Sequence, residues 1–218
     1  MSRAVEQSMF PGLRSDRAVG PLVPSVIPGT NADLIDKITP IYFADDEPVL
    51  DVTYGQGAWW KRRRPTGLVG HDLALDGVDF TDLPYGDRSW PTVCFDPPYI
   101  PAGGATTTTA GGFQAAYGID QGRSQSELDT LMYAGLAETA RVMSRFLLVK
   151  CADFVNSGRF VAQSYKVARW ADDLGLDLHD EIVHAAGSGP GGHNIVTQRR
   201  ARRAHSKLLV FTHRKGSV

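Results

Sequence analysis

The chain has 218 residues, 42% of them hydrophobic and 22% charged, which is the make-up of a globular domain with a sizeable core. Lys+Arg 23 against Asp+Glu 24 leaves a formal net charge of -1, so any contact with a polyanion must come from local clusters rather than from bulk charge. The two cysteines, Cys94 and Cys151, lie inside apolar runs without a CxxC or Cys/His neighbourhood and read as buried thiols, not as metal or redox centres. No transmembrane run is present and the first residues hold no compact apolar signal, so a cytoplasmic protein is expected.

Residues 1–30 are rich in Pro, Gly and Ser and read as an irregular arm. Asn31 is placed to cap a short helix with Leu34, Ile35, Ile38 and Ile41 on one face. A first strand over 48–52 runs into Gly55-Gln56-Gly57, where two glycines let the backbone turn tightly and approach a ligand. A second apolar segment, 66–70, ends at His71-Asp72, and a short third strand is expected around Val78-Asp79-Phe80. A fourth, 92–95, stops at Asp96-Pro97-Pro98-Tyr99.

The Gly/Thr-rich stretch 101–123 holds no regular element, and a loop of that length in a compact domain points to a mobile, functional segment. Ser124 and Glu127 then form a capping box ahead of a helical stripe of Leu128, Leu131, Met132, Leu136, Ala140 and Met143. A buried fifth strand is expected over 145–150, a helix over 159–174 stopped by Gly175, and two closing strands over 178–184 and 207–213. Strands alternating with helices, then a terminal pair, predict a three-layer α/β Rossmann-like sheet, mostly parallel with an antiparallel C-terminal strand pair. Ligands of such sheets bind beyond the carboxyl ends of the strands.

A nicotinamide-dinucleotide site requires a third small residue three positions beyond the second glycine; Trp60, preceded by Trp59, stands there and argues against it. Asp72, at the end of the second strand, can accept hydrogen bonds from both ribose hydroxyls of a nucleoside, and Asp79 can accept from an adenine amino group. Asp96-Pro97-Pro98-Tyr99 is the more specific string, expected by chance in on the order of one chain per thousand. Its chemistry suits an amino group conjugated to a base ring, whose lone pair is delocalised. One oxygen of Asp96 and the carbonyl of Pro97 can each accept an amino hydrogen, favouring a pyramidal nitrogen whose lone pair faces an electrophile. The prolines fix the backbone so that these acceptors converge, and Tyr99 offers a face on which a flipped base can stack.

On these residues the sequence resembles the class I S-adenosylmethionine-dependent amino-methyltransferases of DNA that carry an Asp-Pro-Pro-Tyr signature, the N6-adenine/N4-cytosine family. The resemblance spans about 31–213 in element order, with specific residues only at 49–57, 72, 79 and 96–99. It implies S-adenosylmethionine as cofactor, held by Asp51, Tyr54, Gly55, Gly57, Asp72 and Asp79. It implies catalytic roles for Asp96, Pro97, Pro98 and Tyr99. A single methyltransferase domain over 31–218 follows, with 101–123 as a mobile active-site loop in which Phe113 can close over a base. Residues 31–47 take the place of that family's N-terminal helix beside the methionine end of the cofactor.

Thr53 departs from the family's commoner Phe, and no long segment serves as a separate target-recognition domain. Specificity is therefore expected to be loop-borne or supplied by a protein partner. The connection 185–206 carries the better basic run, with Arg199, Arg200, Arg202 and Arg203 expected to meet phosphate; Lys61-Arg62-Arg63-Arg64, expected early in a helix after the glycine loop, is the weaker one. His193 and Asn194 take no role. The resemblance implies methylation of adenine N6 in DNA; the alternatives are DNA cytosine N4, an adenine or guanine amino group in ribosomal RNA, or a non-catalytic nucleic-acid-binding protein. No metal and no membrane partner are expected.

Overall fold

The structure is a computed structural model that describes residues 22–44, 46–100, 124–156, 158–186, 200–201 and 203–216. Most of the N-terminal arm, the whole segment 101–123 with Phe113, and His193, Asn194, Arg199 and Arg202 lie outside the described residues.

In chain order the elements are β1 (Val26–Pro28), α1 (Asn31–Tyr42), β2 (Val49–Asp51), β3 (Leu68–Gly70), β4 (Trp90–Phe95), α2 (Gln125–Val142), β5 (Met143–Cys151), β6 (Phe154–Asn156), β7 (Arg159–Val161), α3 (Gln163–Asp173), β8 (Leu176–Ala185) and β9 (His205–His213). Among the described residues the main sheet has seven strands in the order β1-β8-β9-β5-β4-β2-β3, and β6 and β7 form a separate antiparallel pair. Strand β9 runs antiparallel to both β5 and β8, while every other pairing in the sheet is parallel. The expected α/β sheet with an antiparallel C-terminal pair is thus observed.

Both faces of the sheet are covered, and the period-2 alternation of strand side chains divides the core accordingly. Leu50, Val93, Phe95, Leu147, Val149 and Leu209 face Met132 and Leu136 of α2 and Val167 and Ala171 of α3. Val49, Cys94, Leu148, Leu208 and Val210 face Leu34, Ile35 and Ile38 of α1, together with Trp59 and Trp60. Both cysteines are fully buried, and loss of solvation pushes their thiols upward, as packed thiols require.

From β2 the chain crosses first to β3 on one side and then back to β4 on the other, since β2 pairs with both. This reversal makes the carboxyl ends of β2 and β4 a topological switch point, the usual ligand position in an open α/β sheet. It puts Asp51 and Asp96 side by side at the same edge.

Several details differ from the sequence expectations, the first being β1, which forms within the expected irregular arm and pairs with β8. The cap of α1 is Thr30, whose side chain accepts from the N–H of Asp33 while the Asp33 carboxylate accepts from Thr30; Asn31 is the first helical residue. Ile41 lies 47% exposed, off the buried stripe of Leu34, Ile35 and Ile38. No strand forms at 78–80, because Asp79 Oδ1 accepts from both the N–H and the hydroxyl of Thr81 at 2.8 Å. An Asp that binds its own downstream backbone offers the chain a turn in place of a ladder.

After the glycine loop only a 3-10 turn, Ala58–Trp60, forms, and Lys61 to Arg64 stand outside any helix before Pro65. Finally, 159–161 is β7, turned back on β6 through Gly158 at φ 73, and α3 starts at Gln163. The capping box of Ser124 and Glu127 forms as expected, although Met143 opens β5 and is not part of the helix. Gly175, at φ 78, follows α3 as expected.

The Thr30 box anchors the end of α1 whose first residue, Asn31, meets Lys150. Thr30→Ala is expected to cost about 1 kcal/mol, measured by urea denaturation.

Candidate functional site

The loop after β2 needs its glycines for two physical reasons. Gly55 and Gly57 adopt φ 50 and φ 66, a region that side chains with a Cβ rarely occupy. A Cβ on Gly57 would also lie 2.7 Å from the Tyr54 hydroxyl, and one on Gly70, at the end of β3, 2.3 Å from the Tyr54 ring. The two glycines thus seat Tyr54 between β2 and β3. Its N–H donates to the carbonyl of His71 at 2.9 Å, and Arg64 donates to its hydroxyl at 2.8 Å.

Asp51 is 4% exposed. Its Oδ1 accepts the N–H of Thr53 at 3.0 Å and its Oδ2 accepts the indole N–H of Trp60 at 2.7 Å. Burial pushes its carboxyl up to about 7 against the pull of these donors, with the nearby Asp96 charge adding to the rise. Both oxygens of Asp51 therefore already accept from the protein.

Asp96, the residue after β4, is 7% exposed. Its N–H donates to the Thr53 hydroxyl at 2.7 Å, which ties the glycine loop to the Asp-Pro-Pro-Tyr segment. Its Oδ2 accepts the indole N–H of Trp59 at 3.1 Å and lies 3.9 Å from Nζ of Lys150. Its Oδ1 is buried and has no hydrogen-bond partner among the described residues. Pro97 and Pro98 are buried behind it, and Tyr99 is half-buried against the core.

Lys150 stands near the carboxyl end of β5 and donates to Oδ1 of Asn31 at 2.6 Å, which brings the first residue of α1 to the same edge. Asp72, 5% exposed, follows β3; its Oδ1 accepts the N–H of Ala74 at 2.9 Å. His71 beside it donates its own N–H to the carbonyl of Asp51 at 2.8 Å, so the ends of β2 and β3 are locked together. The His71 ring bridges Asp76 and Tyr85, and this contact holds the Asp76 carboxyl below the usual carboxylate range.

The fold thus gathers Asp51, Tyr54, Gly55, Gly57, Asp72, Asp96, Pro97, Pro98 and Tyr99 at one sheet edge. Asp79 is exposed, with Oδ1 engaged in its own turn. Of the basic run, Arg200 donates to the carbonyl of Gly158 at 3.1 Å, and the Arg203 guanidinium lies 4.7 Å from the centre of the Phe160 ring. Both pack on the β6–β7 hairpin, which follows the carboxyl end of β5. Of the weaker run, Arg62 pairs with Asp33 at 2.6 Å and Arg63 with Asp36 at 3.7 Å, so both brace α1.

Sequence reasoning did not single out Trp59, Trp60 or Thr53 as holders of the two carboxylates, nor Lys150 and Asn31. A signal existed for three of these. A Trp-Trp doublet beside a glycine loop brings two buried N–H donors that need acceptors, and the two aspartates are what they find. Lys150, directly after the apolar run Leu147-Leu148-Val149, reads as strand but carries a charge where ligands bind. Among the described residues no three His, Cys, Asp or Glu side chains are grouped to hold a metal, and no helix is long and apolar enough to cross a membrane.

The arrangement is the Rossmann-like methyltransferase fold. A Bacillus halodurans protein described as a methyltransferase is similar over 83% of this chain and 99% of its own, at 12% identity and a TM-score of 0.51. The [4+2]-cyclase SpnF is similar over 85% of this chain and 82% of its own, at 12% identity and a TM-score of 0.50. A DNA modification methylase from Thermus thermophilus aligns at 13% identity and a TM-score of 0.38, over 78% of this chain; the chain spans about half of that protein, 54%. No family model and no curated protein matches the sequence. Because a cyclase and a methyltransferase share this fold equally well with the chain, function must be argued from the site.

Proposed function

We propose that the protein is an S-adenosylmethionine-dependent methyltransferase acting on the exocyclic amino group of a nucleic-acid base, adenine N6 in DNA. The observation that carries the reading is Oδ1 of Asp96, buried at the sheet switch point without a partner among the described residues. An unmade hydrogen bond on a buried carboxylate oxygen costs about 1–3 kcal/mol or more, and a ligand hydrogen there relieves it.

The residues present fit the cofactor. Gly55 and Gly57 shape the loop, Tyr54 lines it, and the buried Asp72 stands at the end of β3 where a ribose diol is accepted. Asp51 shapes the same loop through Thr53 and Trp60, and Asp79 is assigned to the adenine end. When bound, S-adenosylmethionine supplies an electrophilic methyl group. Asp96 Oδ1 accepts one amino hydrogen of the base, and the carbonyl of Pro97 accepts the other. The Asp96 charge favours the positive charge that develops on nitrogen, and the buried Pro97-Pro98 pair keeps the acceptors from moving. Tyr99 stacks on the extruded base.

The hairpin β6–β7 supports the polymer part of the reading. It carries Arg159, Phe160 at 40% exposure and, packed against it, Arg200 and Arg203. With Arg199 and Arg202 this run is assigned to phosphates flanking the target base. Arg203→Ala is expected to weaken duplex binding and to lower the slope of log affinity against log salt by about 1. Anisotropy titrations over a series of salt concentrations measure this.

A transfer assay with radiolabelled cofactor tests the function. Duplex DNA is expected to take up label and structured RNA is not. Label on RNA alone would move the substrate, and label on neither would overturn the reading.

A further inference from the structure

Lys150 is not explained by the roles assigned so far. Its side chain is 8% exposed, and a buried ammonium costs several kcal/mol unless it is paired and hydrogen-bonded. Here it has two partners. Asn31 accepts from Nζ at 2.6 Å, and Asp96 Oδ2 lies 3.9 Å away. Trp59 donates to that same Oδ2 at 3.1 Å. Among the described residues both partners of the Asp96 side chain therefore converge on one oxygen. A carboxylate is planar, so fixing Oδ2 fixes the direction of Oδ1, which is left buried and unpartnered.

We propose that Lys150 is a positioning residue: with Trp59 it anchors Oδ2 of Asp96, so that Oδ1 alone is presented to the amino group. The chain of support runs from the Thr30 capping box through Asn31 to Lys150 and then to Asp96. The N-terminus of α1 thereby sets the aim of the acceptor from across the sheet. Lys150 also balances the Asp96 charge from the Oδ2 side, away from the oxygen left for the amino group. This inference rests on the amino-methyltransferase reading for its purpose, but not for its geometry.

The test uses the full chain and the Trp59 indole N–H cross-peak in a proton–nitrogen NMR spectrum, assigned through Trp59→Phe. Lys150→Met is expected to shift that peak, because the acceptor carboxylate loses its second anchor, and Lys150→Arg is expected to keep it near its original position. In the transfer assay Lys150→Met is expected to lower kcat about 10- to 100-fold with the KM for cofactor little changed, and Lys150→Arg to recover most of that loss. An unmoved Trp59 peak in Lys150→Met overturns the proposal whether or not the protein transfers methyl groups. A moved peak with no transfer by the wild type leaves the positioning role standing and removes the enzymatic reading. If neither Lys150→Met nor Lys150→Gln folds, the lysine is a plain stabiliser and the proposal fails.

Discussion

Asp96→Ala is expected to lower methyl transfer at saturating cofactor by about 10²- to 10³-fold, the loss typical of removing one preorganised electrostatic partner of a transition state. Cofactor affinity is expected to stay within a few-fold of the wild type, about 1 kcal/mol or less. Asp72→Ala is expected to do the reverse. The loss of a charged acceptor for ribose hydroxyls amounts to about 1.5–3 kcal/mol, so the cofactor Kd rises about 10- to 100-fold while kcat at saturation changes little. Calorimetric titration with cofactor and single-turnover transfer, run on both variants, separate the two effects. The split follows from position: Asp96 ends the strand on one side of β2 and Asp72 follows the strand on the other. Equal loss of cofactor binding in both variants would undo the assignment. The Ala variant also strands the Trp59 N–H and the Lys150 charge, so Asp96→Asn, which keeps an acceptor for Trp59, is the companion that separates folding from chemistry.

The second large effect is on stability against pH. Burial raises the Asp51 carboxyl from 3.8 to about 7. The folded protein therefore holds this proton over a range in which the unfolded chain has already released it. Below about pH 4 both states hold it and the stabilisation is complete. As the pH climbs through the folded value, the folded state must ionise a buried acid, and that contribution is lost. A rise of about three pH units corresponds to on the order of 4 kcal/mol lost between about pH 4 and pH 8. Other carboxylates act in the opposite sense; the Glu138 carboxyl, for example, is held low by the Arg141 hydrogen bond. The quantity to measure is therefore the difference between wild type and Asp51→Asn in urea unfolding across that range. Wild type is expected to lose stability relative to Asp51→Asn as the pH rises, and a constant difference would show Asp51 to be ionised throughout.

The parts of the site that were legible in the sequence are those written by neighbouring residues. Asp51 with Gly55 and Gly57, and Val93-Cys94-Phe95 running into Asp96-Pro97-Pro98-Tyr99, each combine an apolar strand with the turn chemistry that ends it, so their position can be read locally. The 124–142 helix was legible for the same reason, because its capping box and stripe lie within one segment. The strand expected around Asp79 does not form, because two apolar residues around an Asp do not outweigh that Asp's bonds to Thr81. The 159–161 segment was read as helix because a short amphipathic run fits either period, and only its pairing with β6 decides.

The partners of Trp59 and Lys150 are hidden for a different reason. They lie 37 and 119 residues away in sequence, and only the crossing of β2 between β3 and β4 brings Trp59 and Lys150 to Asp96 and Asn31. The side chains that hold Asp96 are thus brought by topology, whereas Asp51 is held locally, by Thr53 and Trp60 two and nine residues on.

The central claim is that the Asp96 oxygen addresses an amino nitrogen on a base. The most direct measurement is nucleoside mass spectrometry of duplex DNA after incubation with the protein and cofactor carrying a deuterated methyl group. The account predicts the deuterated methyl on adenine N6 with wild type and its near absence with Asp96→Ala. Label on a ring carbon, on the sugar or on phosphate, or equal labelling by the two proteins, would contradict it.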